Sequence, residues 1–358
     1  MKKLKAGIIG AGGIAQYAHI PSFKKAEGVE VAAIADINEI KMKAAAEKFG
    51  IPRTFKKCED MLKEDIDIVS ICSPNAFHAS QSIKAMKAGK HVLCEKPLCL
   101  SEEEVDEVFD TAKRTGMKFM GAMPRRFSGE AKILKTLVEN GYFGDIYYMK
   151  ASYLRRRGIP GLGTWFTNKK LAGGGPMMDI GVHAIDFLVY ITRALSPQMV
   201  TGSTFSKFTD SATDGGWPPY ETRQGDNFIG KMNVEELASG FVKFGNGAVL
   251  FIEAGWAGNC AASSSAVILG TKAGFQVPDP SETKNAVRIY GETCGIISDL
   301  LPEVPKSEMF QEEVNHFIDC VRNNRETGTM KEEIMAVTRI INGIYKSAET
   351  GKPVFYRD

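Results

Sequence analysis

The chain of 358 residues has no run of 18 or more apolar residues, so no membrane-spanning helix is expected. It has no C-x-x-C pair: its seven cysteines, at 58, 72, 94, 99, 260, 294 and 320, are scattered and odd in number. That pattern fits reduced thiols in a cytoplasm better than a disulfide or zinc framework. Net charge is nearly absent, with 45 Lys and Arg against 43 Asp and Glu. Near-neutrality argues against a nucleic-acid-binding surface. The start, "MKKLKAGIIGAGG", is basic but lacks an apolar core with a small-residue cleavage site, so it reads as a first strand rather than a signal peptide. A cytoplasmic location follows as the expectation. Histidine is scarce, at five residues, and His183 is alone between His91 and His316.

What is present is an ordinary globular composition, 44% apolar and 25% charged, on a chain long enough for two domains. Within residues 1–124, "KLKAGIIG", "VEVAAIAD", "DIDIVSICSP", "KHVLCEKP" and "KFMGAMP" are short apolar runs. Helical spacing separates them at 39–49, 76–88 and 101–115. Alternation of this kind predicts an α/β domain with a parallel sheet covered on both faces.

Gly10, Gly12 and Ala15 form G-x-G-x-x-A between the first strand and the first helix. Gly10 suits a tight turn, Gly12 lets backbone approach a pyrophosphate, and Ala15 keeps helix and strand close. Gly13 and Ile14 complete the turn, whose N–H groups face the phosphates at a helix start. Asp36 ends the second strand, where a carboxylate accepts hydrogen bonds from ribose hydroxyls and repels a 2′-phosphate. Ile37 and Asn38 supply no cation nearby, so NAD is expected rather than NADP. A glycine turn with a capping Asp is the rival reading, and it leaves the register of strand, turn, helix and acid unexplained.

"HVLCEKPL" sets Glu95, Lys96 and Pro97 at the carboxyl end of the fourth run, the edge beyond which ligands of open α/β sheets bind. A lysine there can hold a substrate hydroxyl beside a nicotinamide. "SPNAFH" closes the third run in the same way, and Ser73, Asn75 and His78 are candidates to line the cofactor; His78 reads equally as a first-turn helix residue.

"GGGPMMDIGVHAID" at 173–186 stops the chain and then opens a helix with Asp179 and His183 four residues apart. Cap and core histidine, two metal ligands, and a proton-transfer pair are the readings of that spacing. A zinc site needs a third ligand, and none is evident, so no metal is expected.

Together, G-x-G-x-x-A, Asp36, "SPNAFH", "EKP" and D-x-G-x-H resemble, in order and spacing, the Gfo/Idh/MocA oxidoreductases, named for glucose–fructose oxidoreductase and inositol dehydrogenase. The resemblance covers nearly the whole chain. It implies a Rossmann dinucleotide-binding domain, 1–124, and an α/β domain, 125–358, whose open, mostly antiparallel sheet carries the substrate site and subunit contacts. It implies a cis Lys96–Pro97 peptide. It matches Lys96, Asp179 and His183 to the family's catalytic group and sets Arg125, in "MPRRF", near cofactor or substrate.

The second domain's pattern agrees. A helix is expected at 130–140, a strand within 145–157, a helix to about Arg193, and final helices near 310–323 and 331–349. Asn246–Gly247 between alternating apolar residues marks a hairpin, hence antiparallel pairing. "YLRRRGIPGLGTWF" brings Tyr153, Arg156 and Trp165 forward as substrate contacts, with Trp165 as a face for a sugar ring. The polar stretch 209–227 reads as a long loop bordering the pocket or a subunit interface.

A secondary alcohol loses hydride only as its proton is taken, so a base must reach the oxygen. His183 suits that role and Asp179 is expected to orient it, with Asp186, three residues on, as the other carboxylate in reach. The expected activity is NAD-dependent oxidation of a ring hydroxyl, at C3 of a glucoside first and of myo-inositol second, the cofactor released or kept and recycled. A dinucleotide sensor without catalysis has no use for Lys96 and His183 together. A carbohydrate, glycoside or cyclitol substrate and a homo-oligomer are expected; nucleic acid and membrane are not.

Overall fold

The computed structural model describes residues 3–208, 213–226, 230–277 and 287–357. The first sheet is wholly parallel: β1 (Leu4–Ile9), β2 (Val29–Ala35), β3 (Arg53–Phe55), β4 (Ile68–Ile71), β5 (His91–Glu95) and β6 (Phe119–Ala122), in spatial order β3-β2-β1-β4-β5-β6. The order reverses between β1 and β4, and the crevice beyond the carboxyl ends there is where such sheets bind ligands. Buried runs such as β4 and β6, closed on every residue, need helices on both faces, and the expected helices form as Glu39–Phe49, His78–Lys87 and Glu102–Thr115. Asn38 and Ser101 cap two of them, each accepting from a first-turn N–H. The short edge strand β3 is an addition to the five apolar runs; only three residues long and half-exposed, it carries little hydrophobic signal.

Among the described residues the second sheet has nine strands: β7 (Ile146–Leu154), β8 (Pro197–Phe205), β9 (Leu237–Phe244), β10 (Val249–Gly255), β11 (Ser263–Gly270), β12 (Gly274–Val277), β13 (Arg288–Thr293), β14 (Ile296–Leu300) and β15 (Val354–Phe355). All pairings but one are antiparallel; β9 and β10 form the Asn246–Gly247 hairpin, with Gly247 at φ 85°. The exception is β7 beside β10, which run parallel. That pair decides the site, because both strands then end at one edge, Leu154 opposite Gly255.

One face of this sheet packs on helices Val182–Thr192 and Lys331–Thr350 in a continuous core containing Ile185, Leu188, Val242, Ile252, Val337 and Ile340. The helix Met309–Arg322 goes elsewhere: Val314, Phe317 and Ile318 join the core of β1 and β2 with Ile8, Ile20 and Phe23. Arg322 donates to the carbonyl of Gly28, and Thr327 to that of Phe119. The chain's later part therefore builds one wall of the first domain. No helix among the described residues is long and apolar enough to cross a membrane.

Candidate active site

The glycine turn after β1 has two distinct requirements. Gly10 has φ +95°, and a Cβ there would lie 2.5 Å from the Cys72 carbonyl oxygen at the end of β4. A Cβ on Gly12 would meet nothing within 4 Å, so its backbone faces open space. Asp36 Oδ2 accepts from the Ala11 N–H at 2.7 Å and Oδ1 from the Asn38 N–H at 2.8 Å. These bonds hold a carboxylate at the end of β2, beside an open turn leading to Ala15, which is fully buried. The donors, the open cradle and the acid fit a dinucleotide. One expectation is corrected here. A cation does stand near Asp36: Lys41, one turn into the following helix, has its Nζ 3.8 Å from Asp36 Oδ2. Its place on the helix, rather than in the residues just after Asp36, hid it.

At the end of β5 the Lys96–Pro97 peptide is cis. Glu95 beneath it is buried, with Oε1 2.7 Å from His19 Nε2 and Oε2 accepting from the Lys96 N–H at 3.1 Å. His19 Nδ1 meets Ser70 Oγ at 2.8 Å. Burial by itself would lower the His19 pKa, but Cys72 and Glu95 outweigh it and hold the imidazole well above its ordinary value. Burial would likewise raise the Glu95 carboxyl, yet His19 holds it below. The result is a buried ion pair under the lysine, and both Glu95 oxygens are used within the protein.

His78 is corrected as a candidate for lining the cofactor. It is buried, and both ring nitrogens face backbone carbonyls at 2.7 Å, of Pro97 and of Ser73. It ties the end of β4 to the Lys96–Pro97 turn and has no free polar atom for a ligand. Ser73 Oγ donates to Gln81 at 2.6 Å, and Asn75 Nδ2 to the Ala172 carbonyl at 2.8 Å.

Asp179 and His183 arrive on a helix whose first turn, Met177–Gly181, is a π turn before regular helix begins at Val182. Such turns concentrate at functional sites. Gly181 permits it: a Cβ there would lie 2.6 Å from Met177 Sδ and 3.2 Å from Ala254 Cβ on β10. The wider turn changes the phase of residues four apart. No hydrogen bond joins Asp179 to His183 among the described residues, which corrects the expectation that Asp179 orients the imidazole. Asp179 instead receives Lys96 Nζ at Oδ1, 2.9 Å, and at its own carbonyl, 2.8 Å, while Trp256 Nε1 donates to Oδ2 at 3.0 Å. Burial pushes the Asp179 carboxyl up; Lys96 and then Arg155 more than offset it, and its pKa is lowered. His183 is pushed down to about 3 by burial and by the Lys96 ammonium, against the opposing pull of Asp179. Its ring is therefore held neutral. Asp186 is bound by Arg126, at 2.5 and 2.9 Å, and is no partner for His183.

A cavity of about 700 Å³ joins these groups, a volume suited to a small-molecule ligand. Ile14, Glu95, Lys96, Arg125, Tyr153, Asp179 and His183 line it. Arg156 does not; it is exposed, and Arg155 lines the cavity instead. Strand alternation explains the correction, since Arg155 shares the side of Tyr153 and Arg156 faces the other way. Trp165 is also absent from the lining and stacks on Phe166, with ring centroids 3.9 Å apart. Trp217 takes that place, from the 209–227 stretch, of which 213–226 lie within the described residues and 209–212 and 227 outside them. Arg125 lies over the Phe187 ring at 4.8 Å, and burial lowers its pKa. Trp256 carried no signal beyond its apolar surroundings. Among the described residues no group of three His, Cys, Asp or Glu is placed to hold a metal ion.

Comparison with known proteins gives matches along most of the chain. The model described as "Oxidoreductase family, NAD-binding Rossmann fold" (GFO_IDH_MocA) matches residues 4–122, and the GFO/IDH/MocA C-terminal domain model matches 132–276. The chain is 31% identical to the D-glucoside 3-dehydrogenase of Escherichia coli (strain K12) over 98% of its own length and 97% of that protein's. It superposes on the aldose-aldose oxidoreductase of Caulobacter crescentus, complexed with glycerol, with TM-score 0.79 at 25% identity, covering 99% of this chain and 100% of the other. A levoglucosan dehydrogenase in complex with NADH and levoglucosan shares the fold with TM-score 0.81 at 21% identity, over 100% of both chains.

Proposed function

Because the chain belongs to the Gfo/Idh/MocA family of NAD-binding oxidoreductases, we propose that it oxidises a secondary ring hydroxyl of a sugar, at C3 of a glucoside. The observation that carries this reading is the convergence of Lys96, from the first domain, with Asp179 and His183, from the second, on one cavity.

Gly10, Gly12, Gly13, Ile14, Ala15 and Asp36 would hold the dinucleotide, with Arg125 near its nicotinamide end. A bound nicotinamide supplies the hydride acceptor. The residues of the chain manage the proton. Lys96 presents an ammonium N–H to the substrate oxygen and so stabilises alkoxide character as the C–H bond weakens. His183 lines the cavity and is neutral; it is the group placed to accept the hydroxyl proton, and bound substrate must raise its pKa from about 3 for it to do so. Asp179, with Trp256 and Lys96 both donating to it, aims the ammonium. The His19–Glu95 pair fixes the Lys96 backbone from below. Tyr153, Arg155 and Trp217 offer hydroxyl, cation and ring face to the substrate. The full-length similarity to a D-glucoside 3-dehydrogenase favours a glucoside over a cyclitol.

The open face of the second sheet exposes Phe251, Leu269 and Tyr290, which supports a homo-oligomer. Light scattering tests it, and a monomer at micromolar concentration opposes it.

The functional test is a panel of glucosides, free sugars and inositols, followed both by NADH absorbance and by chromatography of oxidised product. Product without NADH accumulation indicates a cofactor kept and recycled. A 3-keto-glucoside is the expected product; turnover confined to inositols would replace the substrate, and no turnover of any polyol would remove the reading.

A further inference from the structure

The segment 214–226 belongs to the second domain yet lies along the dinucleotide site of the first. It is anchored at its base: Gly215 N–H donates to the Ile159 carbonyl and Gly161 N–H to that of Trp217, both at 2.7 Å, and Arg223 pairs with Asp214 at 2.6 Å. From there it crosses. Trp217 meets the Tyr17 ring edge-on, with centroids 5.6 Å apart. Pro218 covers Gly13 so closely that a Cβ on that glycine would lie 2.5 Å from Pro218 Cβ. At the far end, Asn38 Nδ2 donates to the Gln224 carbonyl at 2.9 Å and to Asp226 Oδ1 at 3.2 Å. Lys41 Nζ donates to the same Asp226 oxygen at 2.7 Å, while standing 3.8 Å from Asp36.

We propose that Asp226 is a cofactor-selectivity residue, which neutralises and tethers Lys41 so that the ribose pocket at Asp36 rejects a 2′-phosphate. Lys41 lies on the helix after β2, beside the acid that faces the ribose. Free of a partner, an ammonium there attracts a phosphate dianion and offsets Asp36. Tethered to Asp226, it is held at the second domain, and two carboxylates to one ammonium leave the cluster negative. All three side chains are shielded, with 11% exposure for Lys41, 10% for Asp36 and 20% for Asp226. Charge effects are accordingly less screened than on open surface. The preference for NAD is thus shared between the two domains rather than belonging to Asp36 alone.

The test is direct binding, independent of turnover. Calorimetric titration of the full chain with NAD⁺ and with NADP⁺ gives the ratio Kd(NADP⁺)/Kd(NAD⁺). Asp226→Asn keeps the shape and removes the charge. It is expected to lower that ratio about tenfold in favour of NADP⁺, the order of one released charge in a partly shielded site. Asp226→Ser should act in the same direction. Adding Lys41→Met to Asp226→Asn should cancel the gain, and 0.5 M salt should reduce it. A merely structural role for the segment would weaken both dinucleotides by one factor. An unchanged ratio in Asp226→Asn, or a gain that survives loss of Lys41, overturns the proposal.

Discussion

Lys96 Nζ bonds Asp179 twice, at the carboxylate and at the main-chain carbonyl, across 83 residues of sequence and two domains. The ammonium is thereby anchored in the middle of the π turn, while His183, on the next turn, has no hydrogen bond to another described residue. Acid and imidazole are neighbours in the cavity, and the proposed mechanism gives them separate duties: one aims the lysine, the other takes the proton.

Loss of either duty should stop turnover without stopping cofactor binding. Lys96→Met and His183→Ala are each expected to lower kcat by roughly 10²–10⁴. NAD⁺ affinity, measured by calorimetry, should stay within about threefold. Wild-type turnover in both variants would refute the assignment.

Trp256 should matter although it reacts with nothing. Trp256→Phe removes the donor to Asp179 Oδ2 and leaves a partly buried carboxylate oxygen without that bond. Unfolding free energy in urea is expected to fall by about 2 kcal/mol. A kcat reduced about tenfold would accompany it, as Lys96 loses its fixed aim.

The pH dependence follows from His183. Its folded pKa, about 3, lies below its ordinary 6.5, so the neutral base persists throughout the physiological range. The profile of kcat/KM for alcohol oxidation should show no His183 inflection between pH 6 and 7. Stability carries the same sign. Between pH 6.5 and 3 the unfolded chain binds a proton that the folded site refuses, so this group destabilises the fold as pH falls. The Tm of His183→Asn relative to wild type should therefore be higher at pH 5 than at pH 8.

Glu313 predicts the reverse slope. Burial raises its carboxyl well above the ordinary value, and Oε1 has no hydrogen-bond partner among the described residues. The unfolded chain releases this proton above about pH 4.5 while the folded chain keeps it, so stability falls as pH rises. Glu313→Gln should raise Tm more at pH 8 than at pH 5, by thermal unfolding at both.

Arg155 and Arg156 separate substrate contact from surface charge. Arg155→Met should raise KM for the sugar about tenfold, the loss of one charged hydrogen bond. Arg156→Met should leave KM within about twofold. Equal effects would return Arg156 to the site.

Local pattern was enough for most of the elements, the short edge strand β3 excepted. Apolar runs, glycine at the first turn and Asn246–Gly247 each act within a few residues, so the alternating sheet and the hairpin could be read directly. The alternation of β7 also held the answer for Arg155, since it shares a side with Tyr153.

The sequence by itself determined the two kinds of sheet and the dinucleotide turn, which follow from spacing along one element, whereas the grouping of Lys96 with Asp179 and His183 came from resemblance to the family. Tertiary structure decided what each side chain holds: Lys96 on Asp179, Trp256 beneath it, Asp186 taken by Arg126, His78 sealed by carbonyls, Asp226 on Lys41. These partners depend on β10 lying parallel to β7, on a π turn that shifts helical phase, and on a segment of one domain lying across the other. None of the three leaves a mark on local periodicity, because each arises only when distant elements pack.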